Sequence, residues 1–289
     1  MRPAALIETA PAKVNLSLRV FGRRPDGYHE LVSLVTFAAC GDRVSLLPGR
    51  ELALNVSGPQ AAQIGDNADN LVLKAARALA ERLPSVSLGT FDLDKRLPVA
   101  AGLGGGSADA AAALRLLARA NNLATADMRL YEAARATGAD VPVCLECRPR
   151  LMAGIGDRLS EPLDLPRLDA VLVNPGVPLS TKLVFAGWTG AAALVPADFA
   201  VPPKLGKEQL FDYLATEPND LEAAAMKLAP VVADAIAALR GLRGCRLARM
   251  SGSGATCFGL FVTAAEAEAA ASALRRTYPS WWIQPTALG

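Results

Sequence analysis

The densest set of chemistry-bearing residues runs from Leu97 to Asp109: Leu97-Pro98-Val99-Ala100-Ala101-Gly102-Leu103-Gly104-Gly105-Gly106-Ser107-Ala108-Asp109. Four glycines fall in five positions, and an alanine-rich helical pattern follows. Without Cβ atoms, backbone N–H groups can approach a phosphate closely, and a helix starting here adds the positive end of its dipole. Ser107 reads as the N-cap of that helix, or as a ligand for Mg2+ or phosphate. The plain alternative is a tight turn into a capped helix, but four glycines exceed what a turn needs and carry an entropic cost. Familiar fingerprints do not fit. No lysine follows the glycines as in a Walker A loop, position 107 is serine where a dinucleotide loop needs its third glycine, and Asp109 breaks the G-x-S-x-G elbow.

Four further clusters carry polar groups at useful spacings. Met250-Ser251-Gly252-Ser253-Gly254 opens onto an apolar run and reads either as a turn or as a second backbone closing on the same phosphate chain. Lys13, Asn15 and Ser17 share one face of a period-two pattern, either a solvated strand face or a place to hold a phosphate or orient a carboxylate. In Arg24-Pro25-Asp26-Gly27-Tyr28-His29 a histidine follows a tyrosine just after a turn. That pair could offer an aromatic face and a hydrogen-bonding ring to a planar ligand, or could be an ordinary exposed turn. In Thr137-Gly138-Ala139-Asp140-Val141-Pro142, Gly138 reads as a helix C-cap, and Asp140 precedes an X-Pro unit biased toward extended backbone. Taken alone, Asp140 is as readily a surface or capping residue.

The elements that must position these groups alternate strand and helix. Alternation of Val14, Leu16, Leu18 and Val20 predicts a strand, and Pro25-Asp26-Gly27 a turn. Helices are predicted over 70–82, 108–120, 123–136, 221–239 and 264–276, and a strand over 256–262. The Gly- and Pro-containing stretch 186–206 predicts surface loop; composition shifts from Arg148 onward, and a second domain is expected to begin near 155–165. Such a chain is α/β or α+β.

Composition narrows the function classes. The 289 residues include 52% hydrophobic and 20% charged residues, which excludes a disordered chain. Thirty basic against 28 acidic residues give a net charge of +2, too weak to argue for nucleic acid or an anionic membrane as the main partner. His29 is the only histidine, which rules out a multi-histidine metal site. Cys40, Cys144, Cys147, Cys245 and Cys257 are an odd, scattered set, and the lone Cys144–Cys147 spacing lacks the second pair a zinc site needs. Free thiols in a reducing compartment are expected. The N-terminus shows no apolar h-region, and no run is long enough for a membrane span, so a cytoplasmic protein is expected.

In their order, Lys13-Val14-Asn15-Leu16, Leu97-Pro98 through Gly102-Leu103-Gly104-Gly105-Gly106-Ser107, and Met250-Ser251-Gly252-Ser253-Gly254 resemble the three motifs of the GHMP small-molecule kinases. Arg24 to Leu31 and Gly138-Ala139-Asp140-Val141-Pro142 narrow the resemblance to the branch acting on a cytidine diphosphate-linked methylerythritol in non-mevalonate isoprenoid (terpenoid) biosynthesis. Asn70-Leu71, Gly154-Ile155-Gly156-Asp157 and Pro218-Asn219-Asp220-Leu221-Glu222 are similar to it too, so the resemblance covers nearly the whole chain. It implies an α+β, two-domain fold: a ribosomal-S5-like ATP-binding domain over 1–158 and a ferredoxin-like C-terminal domain over 159–289, with both substrates in the cleft between them.

The implied activity is transfer of the γ-phosphate of ATP to the tertiary C2 hydroxyl of the erythritol moiety. The resemblance implies Lys13 and Asp140 as the catalytic pair. It puts Asn70 and Lys95 at the adenine, and Pro98, Val99, Ala100, Ala101, Gly102, Leu103, Gly104, Gly105, Gly106, Ser107 and Ala108 on the nucleotide. Tyr28, His29 and Phe185 would hold the cytosine, and Asn15 and Thr181 would add substrate contacts. A lysine ammonium beside Asp140 would keep it ionised and make it a weaker base, favouring orientation and late proton acceptance. Mg2+ would accompany ATP, with ligands the sequence does not assign beyond the candidate Ser107. A monomer or weak homodimer is expected. Two departures, Ala100-Ala101 where glycines are common and Val143-Cys144 where aromatics often follow, remove no chemical group. Competing readings are another kinase of the family (mevalonate, homoserine or galactose), which the Tyr28-His29 segment disfavours, and a related decarboxylase. A non-catalytic nucleotide-binding module would have lost Lys13 or Asp140.

Overall fold

The computed structural model describes residues 5–65, 69–193, 195, 201 and 204–289. Part of the loop expected over 186–206, residues 194, 196–200 and 202–203, lies outside the described residues. The chain opens with β1 (Leu6–Asn15), β2 (Arg19–Arg23), the long β3 (His29–Gly49) and β4 (Ala53–Ser57). There follow α1 (Leu71–Arg82), β5 (Leu88–Asp94), α2 (Gly105–Ala120), α3 (Met128–Thr137), α4 (Val141–Glu146), β6 (Arg150–Gly154) and β7 (Arg158–Leu159). The remainder is β8 (Leu168–Asn174), α5 (Thr181–Ala186), α6 (Lys207–Thr216), α7 (Glu222–Leu228), α8 (Val231–Arg240), β9 (Cys245–Met250), β10 (Cys257–Phe261), α9 (Ala264–Thr277) and β11 (Trp282–Leu288).

Local chemistry sets the boundaries, and several differ from the sequence expectation. Asn70 starts α1 by accepting the Val72 N–H, and Thr263 with Glu266 forms a capping box on α9. The helix expected from Leu123 starts only at Met128, because Asp127 accepts the Arg129 N–H and caps it there. The helix expected over 221–239 is two helices. Pro230 has no N–H to continue the ladder, so α7 stops at Leu228 and α8 restarts at Val231. The helix expected from Ala108 starts three residues earlier. Gly104, left-handed at φ 59°, is its N-cap, and Ser107 is its third residue rather than its cap. Val141, expected to be extended, instead opens α4, since Pro142 is tolerated in a first turn.

The strand expected over 14–20 bends after Asn15 and resumes as β2. Its polar face is not solvated: Lys13, Asn15 and Ser17 are 5%, 4% and 1% exposed, while Val14 and Leu16 are fully buried. Polar groups so placed must find partners or remain costly.

Two compact units form, neither of them a continuous stretch. The first comprises the described parts of Met1–Ala12, Gly41–Val99 and Gly104–Cys147. In it the second half of β3 runs antiparallel to β5, with Arg43 opposite Asp94 and Gly49 opposite Leu88, and β4 lies parallel to β5 on the other side. Helix α2 packs against α1, α3 and α4. The fully buried Ala110–Ala113 keep its backbone close to its neighbours, and Leu114, Leu116 and Leu117 supply bulk. Each such leucine stabilises by about 1.5–3 kcal/mol.

The second unit comprises Lys13–Cys40, Ala100–Leu103 and the described parts of Arg148–Gly289. The first half of β3 pairs there with β2 and β6. The antiparallel order β11-β8-β10-β9, with α9 crossing from β10 to β11, is the βαββαβ arrangement of ferredoxin-like folds. Helix α8 covers β9 and β10, and α9 covers β8 and β11, with Val171 and Val173 of β8 in the core beneath them; β8 is buried along its whole length. The expected α+β class holds. Among the described residues no helix is long and apolar enough to cross a membrane.

Candidate active site

In the first unit, the glycine run delivers its last residues into the start of α2. Ala108 N–H is the first to bond within the helix, to Gly104 O at 2.8 Å, so the N–H groups of Gly105, Gly106 and Ser107 have no intrahelical acceptor. Gly106 is exposed. Helix dipole and open backbone donors together can hold an anion. The start of α1 adjoins it, since a Cβ on Gly106 would meet Leu71 Cδ1 at 3.3 Å. Asn70 spends its side-chain oxygen on the α1 cap. Pro98 is buried, and the Val99 N–H donates to Gln63 Oε1 at 3.2 Å.

Beneath this turn lies a charge cluster that the sequence did not reveal. Lys95 Nζ, with its side chain 4% exposed, donates to Asp42 Oδ2 at 2.5 Å and to Asp109 Oδ2 at 2.7 Å. Asp42 Oδ1 accepts the Arg96 and Leu97 N–H groups at 2.6 and 2.8 Å. One lysine thus joins the end of β5, the middle of β3 and the first turns of α2. Burial opposes the Lys95 charge, but the Asp109 and Asp42 carboxylates outweigh it and hold its pKa above the usual value. Burial, aided by the Asp42 carboxylate and opposed by Lys95, pushes Asp109 up to about 8. Asp109 Oδ1 is buried with no hydrogen-bond partner among the described residues. The Lys95 ammonium is therefore committed within the fold, whatever the rest of the residue does for a nucleotide.

In the second unit, residues 100–103 meet the third glycine cluster. Gly102, at φ 74°, has no room for a side chain: a Cβ would lie 2.4 Å from Ser251 O and 2.9 Å from Gly254 N. Ser251 Oγ donates to Gly102 O at 2.9 Å and accepts the Asn15 N–H at 3.0 Å. Thr256 N–H donates to Ala101 O, and Lys13 N–H to Leu103 O. Ala100 holds a left-handed φ of 51°, a conformation costly for any residue with a Cβ.

The side chain of Asn15 is oriented by a relay. Its Nδ2 donates to Ser33 Oγ at 2.7 Å, and Ser33 Oγ donates to Ser17 O at 2.6 Å. Its Oδ1 has no partner among the described residues. Thr181, at the start of α5, shares a 2.9 Å hydrogen bond with Ser253 Oγ. An aromatic group completes this unit's candidate residues. The His29 ring lies 5.1 Å from that of Phe185 and 5.9 Å, edge-on, from that of Trp188. Burial, then the Arg23 charge, lowers the His29 pKa, so the ring is neutral near pH 7. Tyr28 is 61% exposed.

The structure thus gathers Asn70, Lys95, Pro98, Val99 and Gly104–Ala108 in the first unit, where Asp140 also sits, half-buried, at the head of α4. It gathers Lys13, Asn15, Ala100–Leu103, Thr181, Tyr28, His29 and Phe185 in the second. Sequence reasoning missed Asp42, Asp109, Ser33 and Trp188. Only Asp109 carried a signal, by its place at the end of the glycine run.

Comparison with known proteins agrees with these motifs. The GHMP kinases N terminal domain family matches residues 70–147, and the GHMP kinases C terminal family matches 205–280. A 4-diphosphocytidyl-2-C-methyl-D-erythritol kinase of Rhodopseudomonas palustris (strain ATCC BAA-98 / CGA009) is 57% identical over 98% of this chain and 97% of its own. One of Bradyrhizobium diazoefficiens is 55% identical over 96% of each. A crystal structure of 4-(cytidine 5'-diphospho)-2C-methyl-D-erythritol kinase superposes with a TM-score of 0.78 at 36% identity, covering 98% of this chain and 99% of that one. A homoserine kinase from Cytophaga hutchinsonii, at 18% identity and a TM-score of 0.69, shares the fold. The phosphate-type helix start, the three spaced motifs and this full-length identity converge, and the chain belongs to the 4-diphosphocytidyl-2-C-methyl-D-erythritol kinase family of GHMP kinases.

Proposed function

We propose that this enzyme transfers the γ-phosphate of ATP to the C2 hydroxyl of 4-diphosphocytidyl-2-C-methyl-D-erythritol, in isoprenoid biosynthesis by the non-mevalonate route. The observation that carries the reading is the 57% identity to a kinase of that name along 98% of the chain. The open N–H groups at Gly105, Gly106 and Ser107 suit a triphosphate. ATP supplies the phosphoryl group, and Mg2+ bound to it offsets the phosphate charge. Among the described residues no three His, Cys, Asp or Glu side chains group as a metal site, so the ion would arrive with the nucleotide, with the Ser107 hydroxyl as a candidate ligand.

In this reading the C2 oxygen forms a bond to the γ-phosphorus as the bond to the β–γ bridging oxygen breaks. Asp140 orients the hydroxyl and accepts its proton late, while Lys13 offsets negative charge during transfer. Residues 98–108 hold the nucleotide, and Asn70 and Lys95 line its adenine end. Tyr28, His29 and Phe185 hold the cytosine, and Asn15 and Thr181 contact the substrate. The functional division is 1–158 for ATP and 159–289 for the C-terminal domain. The location is the cytoplasm, as monomer or weak homodimer, with neither nucleic acid nor membrane as partner; the small net charge supports that last exclusion.

A coupled ADP-release assay tests the reading. Turnover should appear with the cytidyl substrate, fall with its uridine analogue and be absent with mevalonate. Equal use of cytidine and uridine forms would sink the cytosine assignment. Base–aromatic stacking contributes about 1–3 kcal/mol, so Tyr28→Ala should raise KM for the cytidyl substrate roughly 5- to 150-fold and change kcat much less.

Gly105→Val tests the nucleotide side. Gly105 is not left-handed, so backbone strain is not the reason. A Cβ there would lie 3.1 Å from Lys95 Nζ, which two carboxylates hold in place, and would project beside the open N–H groups. ATP affinity should fall in a folded protein, and an ATP titration matching wild type would sink the phosphate-loop reading.

A further inference from the structure

Pro218-Asn219-Asp220-Leu221-Glu222 has no role in the reaction as described so far, yet it sits where three functional segments meet. Leu18 N–H donates to Pro218 O at 3.0 Å and Asp220 N–H to Leu18 O at 2.8 Å, which lays this segment beside the chain that follows β1. Between these bonds Asn219 is 4% exposed. Its Nδ2 donates to Met250 O at 2.9 Å and to Gly252 O at 2.8 Å, and its Oδ1 accepts the Leu221 N–H at 3.0 Å. Reversing the amide would set a donor against an N–H and a carbonyl against two carbonyls, so its orientation is fixed.

Those two carbonyls bracket Ser251, whose hydroxyl joins Asn15 to Gly102. Gly102 packs against this loop with no room for a Cβ, which would lie 2.4 Å from Ser251 O. Arg249 anchors the same turn from beneath, donating to Leu16 O and Leu214 O at 2.8 and 2.9 Å. We propose that Asn219 is a positioning residue for phosphoryl transfer, holding the Met250–Gly254 loop so that Ser251 sets both Asn15 and Gly102. Asn219 itself touches neither substrate. The proposal rests on the reading of residues 98–108 as nucleotide-binding and Asn15 as substrate-binding.

The test compares Asn219→Ala with Asp220→Asn. The control alters the same segment at the Val20 N–H, away from the glycine loop. Misplacing a reacting group by about 1 Å costs on the order of 10²-fold, so Asn219→Ala should lose kcat on that scale. Amide exchange across 250–256 should quicken by about tenfold or more as the loop opens locally. Asp220→Asn should keep most of its kcat even where its loss in Tm is as large. Should the alanine variant not fold, the isosteric Asn219→Asp keeps the acceptor for Leu221, removes both donors, and is read the same way. Turnover no lower than that of Asp220→Asn at equal Tm would overturn the proposal, as would unchanged exchange across 250–256. Wild-type turnover of the cytidyl substrate tests the proposed function separately, and exchange reads the loop whichever phosphate acceptor is used.

Discussion

Asp140→Asn should give a folded protein that still binds ATP and the cytidyl substrate but turns over about 10²–10⁴ times more slowly, the scale of a positioned acid–base group. The α4 cap does not depend on the carboxylate. Asp140 stands at the N-cap of α4, but its carboxylate makes no capping bond there, and asparagine is an equally good cap. Helix α4 is held by its apolar residues, with Val141, Pro142, Val143, Cys144 and Leu145 all buried. On the proposed role, what is lost is an acceptor for the proton in the transition state, so kcat should fall more than KM rises. Steady-state kinetics with an ATP titration checks both halves. A variant with full kcat would show that the hydroxyl is oriented by another group.

Lys95→Met should be the most destabilising single change in the first unit, by about 3–5 kcal/mol, the usual cost of removing one partner from a buried ion pair. Methionine fills the space but leaves Asp42 and Asp109 facing each other without the ammonium between them. Asp109→Asn in the same background should recover part of the loss, since it removes one of the two buried acids. The same cluster gives stability a pH slope. The Asp109 pKa is raised from 3.8 to about 8, so between those values the folded state holds a proton that the unfolded state has released. Stability from this group is full below about pH 4 and declines as pH rises through about 8. Denaturant unfolding from pH 5 to 8.5 should show the decline in wild type and lose that component in Asp109→Asn. Identical slopes in the two proteins would mean that Asp109 is ionised throughout.

The parts of the site legible in sequence were those where a residue type has one physical use. Gly102 and Gly104 adopt left-handed backbone, and at Gly102 no Cβ fits, so their composition announced a close approach. Strand β10 and helix α9 followed from an apolar run and from helix-forming composition. The partners of Lys95 were not legible, because Asp42 lies 53 positions away in a segment with no motif. Period two set Lys13, Asn15 and Ser17 on one strand face, but β1 ends at Asn15, and the pattern could not tell a solvated polar residue from a buried one. The break at Pro230 was legible from the missing N–H and was overridden by the apolar pattern on either side. Trp188 gave no signal beyond its nearness to Phe185, since its meeting with His29 depends on a chain reversal that no local pattern encodes.

The interleaving of the two units carries a consequence for how the protein is made. The first unit has all its residues once the ribosome has passed Cys147. The second contains both Lys13 and β11, so its sheet stays incomplete until Trp282–Leu288 have been made. The Asn15 N–H waits for a hydroxyl 236 positions later, and Leu18 for a partner near residue 219. Closures of that span are slow to find. The nascent chain should therefore emerge with the first unit able to close early and with β2, the first half of β3 and β6 able to pair, while the groups that Asn15 and Leu18 bond to are still to be made.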